Sequence, residues 1–277
     1  MPQDYLKYYI YFISGSALIT LITVIAEKKS PRTAGLLMSL PVITFLSLLF
    51  MALSQGAWFG SRAAVWNPIG AIADLVYMGL FVTGAAIPGL TGRVRTGPRR
   101  SLEILAGLLL GFSGYFLSIM LLSGFTVTDG WVSLGTLWVA AFIAHRLFGK
   151  LEDADMQKSG TAPLRELAVR ALFGGCTVAF VVIIGDSAGF MWGGIFSSFP
   201  GTITPVLVIL HLKYGKLMSQ SVIKSAPLGL CATGLYSIMV WLTYPEYGIA
   251  AGTLVAYASV AVFLLTISGY TKENKVR

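Results

Sequence analysis

Charge is scarce in this chain. Only 12% of its 277 residues are Asp, Glu, Lys or Arg, against about 25% in soluble domains. Histidine and cysteine are scarcer still, at two each. No HExxH, no CxxC and no GxxxxGK[ST] occurs, so the usual zinc-hydrolase, dithiol and nucleotide-binding motifs are missing. With so few imidazoles and carboxylates, the expectation is no enzyme, no metal and no cofactor. Alternating ten-residue segments are missing too, which argues against a membrane β-barrel. Cys176 and Cys231 lie in apolar segments without partner spacing and read as small core residues.

What fills the chain instead is apolar sequence. Hydrophobic residues make up 56%, and mean hydropathy is +0.77. Runs of near-spanning length recur from end to end. Backbone groups in hydrocarbon must be bonded within their own segment, so such runs are helices. The expected fold is all-α: a polytopic integral membrane protein of about nine transmembrane helices. Gly, Pro and charge place the spans near 8–26, 34–53, 64–90, 102–122, 131–148, 166–185, 193–212, 222–243 and 248–269. The first run reads as a span, not as a cleaved signal.

The net charge of +8 points to orientation, not to nucleic acid. Basic residues cluster in alternate loops: Lys28, Lys29 and Arg32; then Arg93, Arg95, Arg99 and Arg100; then Arg146, Lys150, Lys158 and Arg165; then Lys213 and Lys216; then the tail. The intervening loops carry only Arg62. The positive-inside rule then puts the N-terminus outside and the C-terminus in the cytoplasm of the inner membrane.

A segment near the start recurs further on. EKKSPRTAGLLMSLPVIT, from Glu27, aligns without gaps to DSAGFMWGGIFSSFPGTI, from Asp186, at an offset of 186 − 27 = 159 residues. Carried along the chain, that offset puts Gly15, Gly35, Gly56, Gly70 and Gly89 on Gly174, Gly194, Gly215, Gly229 and Gly248. Pro41, Pro68 and Tyr77 fall on Pro200, Pro227 and Tyr236. An odd number of spans separates the copies, so they cross the membrane in opposite directions. The layout is four plus one plus four: residues 1–125 as the first repeat, 126–160 as a connector helix and loop, and 161–277 as the second repeat. Inverted-topology repeats are a hallmark of secondary transporters.

The first copy resembles the GlpM-like family of small bacterial inner-membrane proteins and related families of unknown function. The resemblance rests on Glu27, Lys28, Lys29, Ser30, Pro31, Ala34, Gly35, Leu36, Leu37, Ser39 and Pro41. The second copy keeps Gly193, Gly194, Ser198 and Pro200 but lacks the basic pair and the Ser-Pro. Such relatives are about half as long, which implies a fused tandem pair.

Three groups of residues are candidates for function. Pro41 and Pro200 fall inside spans two and seven, where proline frees carbonyls that Ser39, Thr44, Ser198, Thr202 and Thr204 can satisfy. Broken helices of this kind build solute sites, whereas the plainer reading is a kink with close glycine packing. Asp74 lies near mid-membrane if span three starts near Arg62, and near the interface if it starts at Asn67. A carboxylate at mid-depth pairs, protonates or binds a cation. Glu27 and Asp186 end spans one and six, either as interfacial charges or as matched gates. His145 and His211 read as interfacial residues, and Arg170 as one that snorkels.

The leading expectation is a secondary transporter or exporter of a small solute, working by alternating access, with protons or cations as the candidate coupling ions. A small-ion channel of the same layout is the alternative. A non-transporting accessory subunit for lipid or polysaccharide assembly is the other. The implied partners are the lipid bilayer and a small solute or ion, with room for a homodimer on the glycine-rich faces.

Overall fold

The computed structural model describes residues 2–27, 40–87, 97–152 and 163–276. These form helices and turns, with no strand among the described residues. In chain order the helices are α1 (Pro2–Glu27), α2 (Val42–Gln55), α3 (Ala57–Ala85), α4 (Gly97–Leu122), α5 (Gly130–Phe148), α6 (Leu164–Ala188), α7 (Phe190–Phe196), α8 (Ile203–Tyr214), α9 (Lys216–Ile223) and α10 (Ala226–Val276). Six stretches of helix among the described residues are long and apolar enough to cross a membrane. The chain is therefore a helical, multi-pass membrane protein.

The helix ends follow from local chemistry. Gly56 and Gly215, at φ 96° and 82°, separate α2 from α3 and α8 from α9. A left-handed backbone there suits glycine, which has no Cβ to clash. Asp129 caps α5 by accepting the Trp131 N–H at 2.7 Å. Within α10, Gly248 has φ 77° and breaks the helix two residues beyond a turn that holds Pro245 and Glu246.

Two expected spans take a different form. The run at 193–212 is not one kinked helix but two, α7 and α8, with a break at 197–202. Pro200 has no N–H and its ring excludes the preceding turn, so α7 stops before it and α8 starts after it. Pro41 likewise stands at the N-cap of α2 rather than inside it. Pro68, by contrast, is carried within the unbroken α3. Cys176, expected in the core, is exposed, and Cys231 is partly buried.

α3 is the central helix. It packs against α2, α4, α5, α7 and α10, while α1 pairs with α6. Most of its length is buried, including Asn67, Asp74 and Tyr77. Glu166 and Asp186 lie 186 − 166 = 20 residues apart on α6, about 30 Å at 1.5 Å per residue. That matches the hydrocarbon thickness of a bilayer. At the Asp186 end, its carboxylate meets Lys7 at 3.7 Å and accepts from Ser54 and Gln55 at 2.9 and 3.2 Å. At the Glu166 end, Lys213 sits 2.7 Å and Arg170 3.7 Å from its carboxylate. His211 lies 3.1 Å from Glu103 there. The ion pairs among the described residues thus lie towards the two ends of α6.

Several contacts are related by the 159-residue offset. A methyl added to Gly15 would strike Val178, and one added to Gly174 would strike Ile19. A methyl on Gly60 would strike Ala52, and the counterparts Ser219 and His211 are 3.3 Å apart. Tyr77 meets Thr204 at 2.8 Å, while Tyr236 meets Phe45 edge-on at 6.4 Å between ring centroids.

Candidate functional site

The break between α7 and α8 reaches the middle of the molecule because α3 has no side chain at Gly70. A methyl there would run into the Ile195 carbonyl and the Ser198 hydroxyl. On the facing segment, a methyl on Gly194 would run into the Ala63 carbonyl. Two glycines, one on each partner, thus bring α7 against α3 backbone to backbone. Asp74 lies one helical turn after Gly70, on the same face.

There the structure forms a small pocket, a cavity of about 40 Å³. At roughly 10–15 Å³ per water position, it has space for about three waters or one small ion. Asp74 lines it, with Thr44 from α2 and Ser198, Pro200 and Thr202 from the break. Thr233 on α10 lines it as well. Asp74 is 7% exposed and Ser198 4%. Among the described residues neither Asp74 Oδ1 nor Ser198 Oγ has a hydrogen-bond partner. No Lys, Arg or His lines the cavity among the described residues. Burying unpartnered polar atoms is costly, so two of them sharing one cavity is informative.

Asp74 is 74 − 62 = 12 residues beyond Arg62, about 18 Å along the helix. Arg62 itself donates to the Thr128 carbonyl at 3.5 Å. α3 starts at Ala57 rather than at Asn67, so Asp74 sits well inside the helix and away from its ends.

Beside the cavity runs a polar chain tying both halves together. Asn67 donates to Ser197 Oγ at 2.8 Å and to Thr44 Oγ1 at 3.2 Å. It accepts from Ser237 at 2.7 Å. Thr44 in turn donates to the Ser197 carbonyl at 3.1 Å, one of the carbonyls freed by the break. All four side chains are buried, and they come from α2, α3, the break and α10. Removing one partner of a buried bond leaves the others unsatisfied, at about 1–3 kcal/mol per group. Asn67→Ala strips partners from three side chains, so we expect it to cost roughly 3 kcal/mol. A thermal melt of the purified protein checks this, with Asn67→Gln as the milder comparison.

The predicted site residues thus divide. Thr44, Asp74, Ser198, Pro200 and Thr202 meet at one cavity. Pro41 flanks it, and its carbonyl accepts the Phe45 N–H at 2.8 Å. Thr204 stands behind it, donating to the Pro200 carbonyl at 2.6 Å, and its hydroxyl lies 2.8 Å from Tyr77's. Ser39 lies outside the described residues, as does the Glu27 side chain. Asp186 is far from the cavity, in its cluster with Lys7, Ser54 and Gln55. His211 and Arg170, expected at the interface, are fully buried. His211 is held by Glu103 and Ser219. Arg170 does not snorkel, because Glu166 is one turn away and pairs with it inside the protein.

Asn67, Ser197, Thr233 and Ser237 were not singled out as site residues from the sequence. Asn67 had a signal, as an amide beside proline in an apolar run. Thr233 had another, as the counterpart of Asp74. One motif spacing also needs placing: Gly185–Gly189 reads GDSAG, a G-x-S-x-G. The nucleophile elbow requires a strand-to-helix turn. Here Ser187 ends a helix, and its hydroxyl donates to the Ile183 carbonyl at 2.7 Å.

Comparison with protein-family models, with curated proteins and with solved structures finds no match. The functional reading therefore rests on the geometry of this chain alone.

Proposed function

We propose that this chain is a secondary carrier of the inner membrane that moves a small solute or ion by alternating access. The observation that carries the reading is the cavity at Asp74. A buried carboxylate with an unpartnered oxygen faces a proline-broken helix. Such a group takes up a proton or a cation, and broken helices are the usual build of a transport site.

The contacts related by the 159-residue offset support an inverted repeat of four plus one plus four, with about nine spans. In this arrangement α7 and α8 together make span seven, and α2 completes span two. Asp74 and Thr233 are counterparts by the offset and line one cavity, which supports a site at the junction of the two copies. The Asp186 cluster and the cluster around Glu166, Lys213 and His211 then become the polar ends that open and close in turn. The basic loops favour an outer N-terminus and a cytoplasmic C-terminus. The GlpM-like resemblance fits the fused-pair origin.

One observation favours a second reading. The cavity is ion-sized, which also suits a small-ion channel of the same layout. An accessory subunit requires no unpartnered buried carboxylate and is disfavoured on that ground.

Flux into proteoliposomes across a panel of small solutes and ions separates these readings. We expect at least one substrate to be taken up saturably, with counterflow when it is preloaded. Flux that rises linearly without saturation points to the channel. No flux with any substrate, from protein that is folded, points to the accessory role.

A further inference from the structure

We infer that the Asp74 cavity binds one small monovalent cation of the sodium class, held by Asp74, Ser198, Thr202 and Thr44. This deepens, and rests on, the reading of that cavity as the transport site. The argument is one of charge and donor type. Among the described residues the cavity contains one carboxylate and no basic side chain, so no described side chain neutralises it. A proton would require only the carboxylate. Instead, hydroxyls gather around it from three separate segments, α2, the break and α10.

Ser198 Oγ is buried and has no partner among the described residues. Thr44 Oγ1 accepts once and donates once, to Asn67 and Ser197 respectively. A hydroxyl oxygen has two lone pairs, so one remains on Thr44. These are hard oxygen donors, of the kind alkali and alkaline-earth ions prefer over soft metals. Among the described residues no group of three His, Cys, Asp or Glu converges to hold a metal. Calcium and magnesium sites lean on several carboxylates or on retained waters. A single carboxylate balances a single positive charge.

The network around Asn67 gives the site its shape. It fixes Thr44 against Ser197, and so fixes the neighbouring Ser198 opposite Asp74. The hydroxyls are therefore placed before any ion arrives, which lowers the entropic cost of binding.

The test is binding of ²²Na⁺ to the purified full-length protein in detergent, with choline chloride holding ionic strength constant. We expect saturable binding at about one ion per chain. Asp74→Asn is close to isosteric and should stay folded by gel filtration and thermal melt. It should weaken binding roughly tenfold or more, and Ser198→Ala severalfold. The inference is overturned by no saturable binding to the wild type. It is also overturned by binding unchanged in Asp74→Asn, or by Mg²⁺ or Ca²⁺ displacing Na⁺ at lower concentration. Its failure is distinct from that of the carrier reading. Saturable flux driven by a pH gradient, without Na⁺ binding, overturns the cation site and keeps the carrier. Na⁺ binding without any flux supports the cation site and removes the carrier.

Discussion

Gly70→Leu is expected to yield no folded protein, and Gly70→Ala to cost about 3 kcal/mol, at the upper end of ordinary overpacking. The reason is what the added atom meets. At Gly70 it meets the Ile195 carbonyl, which is backbone and has no rotamer to give. Relief requires α7 to move away from α3. That motion takes the 197–202 break off the Asp74 face and dismantles the bonds that Asn67 and Thr44 make to Ser197. Gly194→Ala should behave alike, because its added methyl meets the Ala63 carbonyl. Gly135→Ala is the control. Gly135 lies within α5, is exposed, and an added methyl meets nothing within 4 Å. There alanine should stabilise by about 0.5–1 kcal/mol, the helix-propensity difference. Fluorescence-detected gel filtration with a thermal ramp reads all of these. The same chemical change, glycine to alanine, is thus expected to act with opposite sign at two positions. Equal melting temperatures for Gly70→Ala and Gly135→Ala would contradict the close-approach account.

The helices were legible in the sequence where apolar runs were long and bounded. α5 and α6 begin and end within a few residues of expectation. Gly56 and Gly215 were legible as partners from the offset alone. Both proved to be left-handed helix breaks, because only glycine adopts that backbone readily. Asp74 was legible because a carboxylate in an apolar run is expensive.

The remaining parts of the site were harder to read. Asn67, Ser197 and Ser237 are uncharged, so hydropathy barely registers them, and their partners lie far away in sequence. Asn67 to Ser237 spans 170 residues, and only folding brings them together. Span seven looked continuous because Phe199 and Ile203 keep the apolar run going across the break. Hydropathy reports burial, not whether the backbone stays helical. Arg170 and His211 were misplaced for a related reason. Position along a helix says how deep a residue lies, whereas its partner decides whether it is buried. Glu166 and Glu103 are those partners.

The second large effect is expected at Asp74. Asp74→Asn keeps the shape and removes the charge. One charge-assisted contact is worth about 1.5–3 kcal/mol, and each 1.4 kcal/mol is a factor of about ten. With Ser198, Thr202 and Thr44 converging on the same ligand, coupled uptake should fall roughly 100-fold or more. Stability should not fall with it. Asp74 makes no ion pair among the described residues, so its replacement breaks none, and a buried unpartnered charge is removed. That separation of function from folding is what a transport site predicts and a structural carboxylate does not. Asp186→Asn offers the contrast. It loses contacts with Lys7, Ser54 and Gln55 at a helix end, and its effect on uptake should be modest.

The decisive measurement is counterflow in proteoliposomes by the wild type and Asp74→Asn side by side, with both shown to be folded and equally incorporated. The account predicts saturable counterflow in the wild type and its loss in Asp74→Asn. Counterflow undiminished in Asp74→Asn would contradict it, because the cavity at the α7–α8 break would then not be where transport occurs.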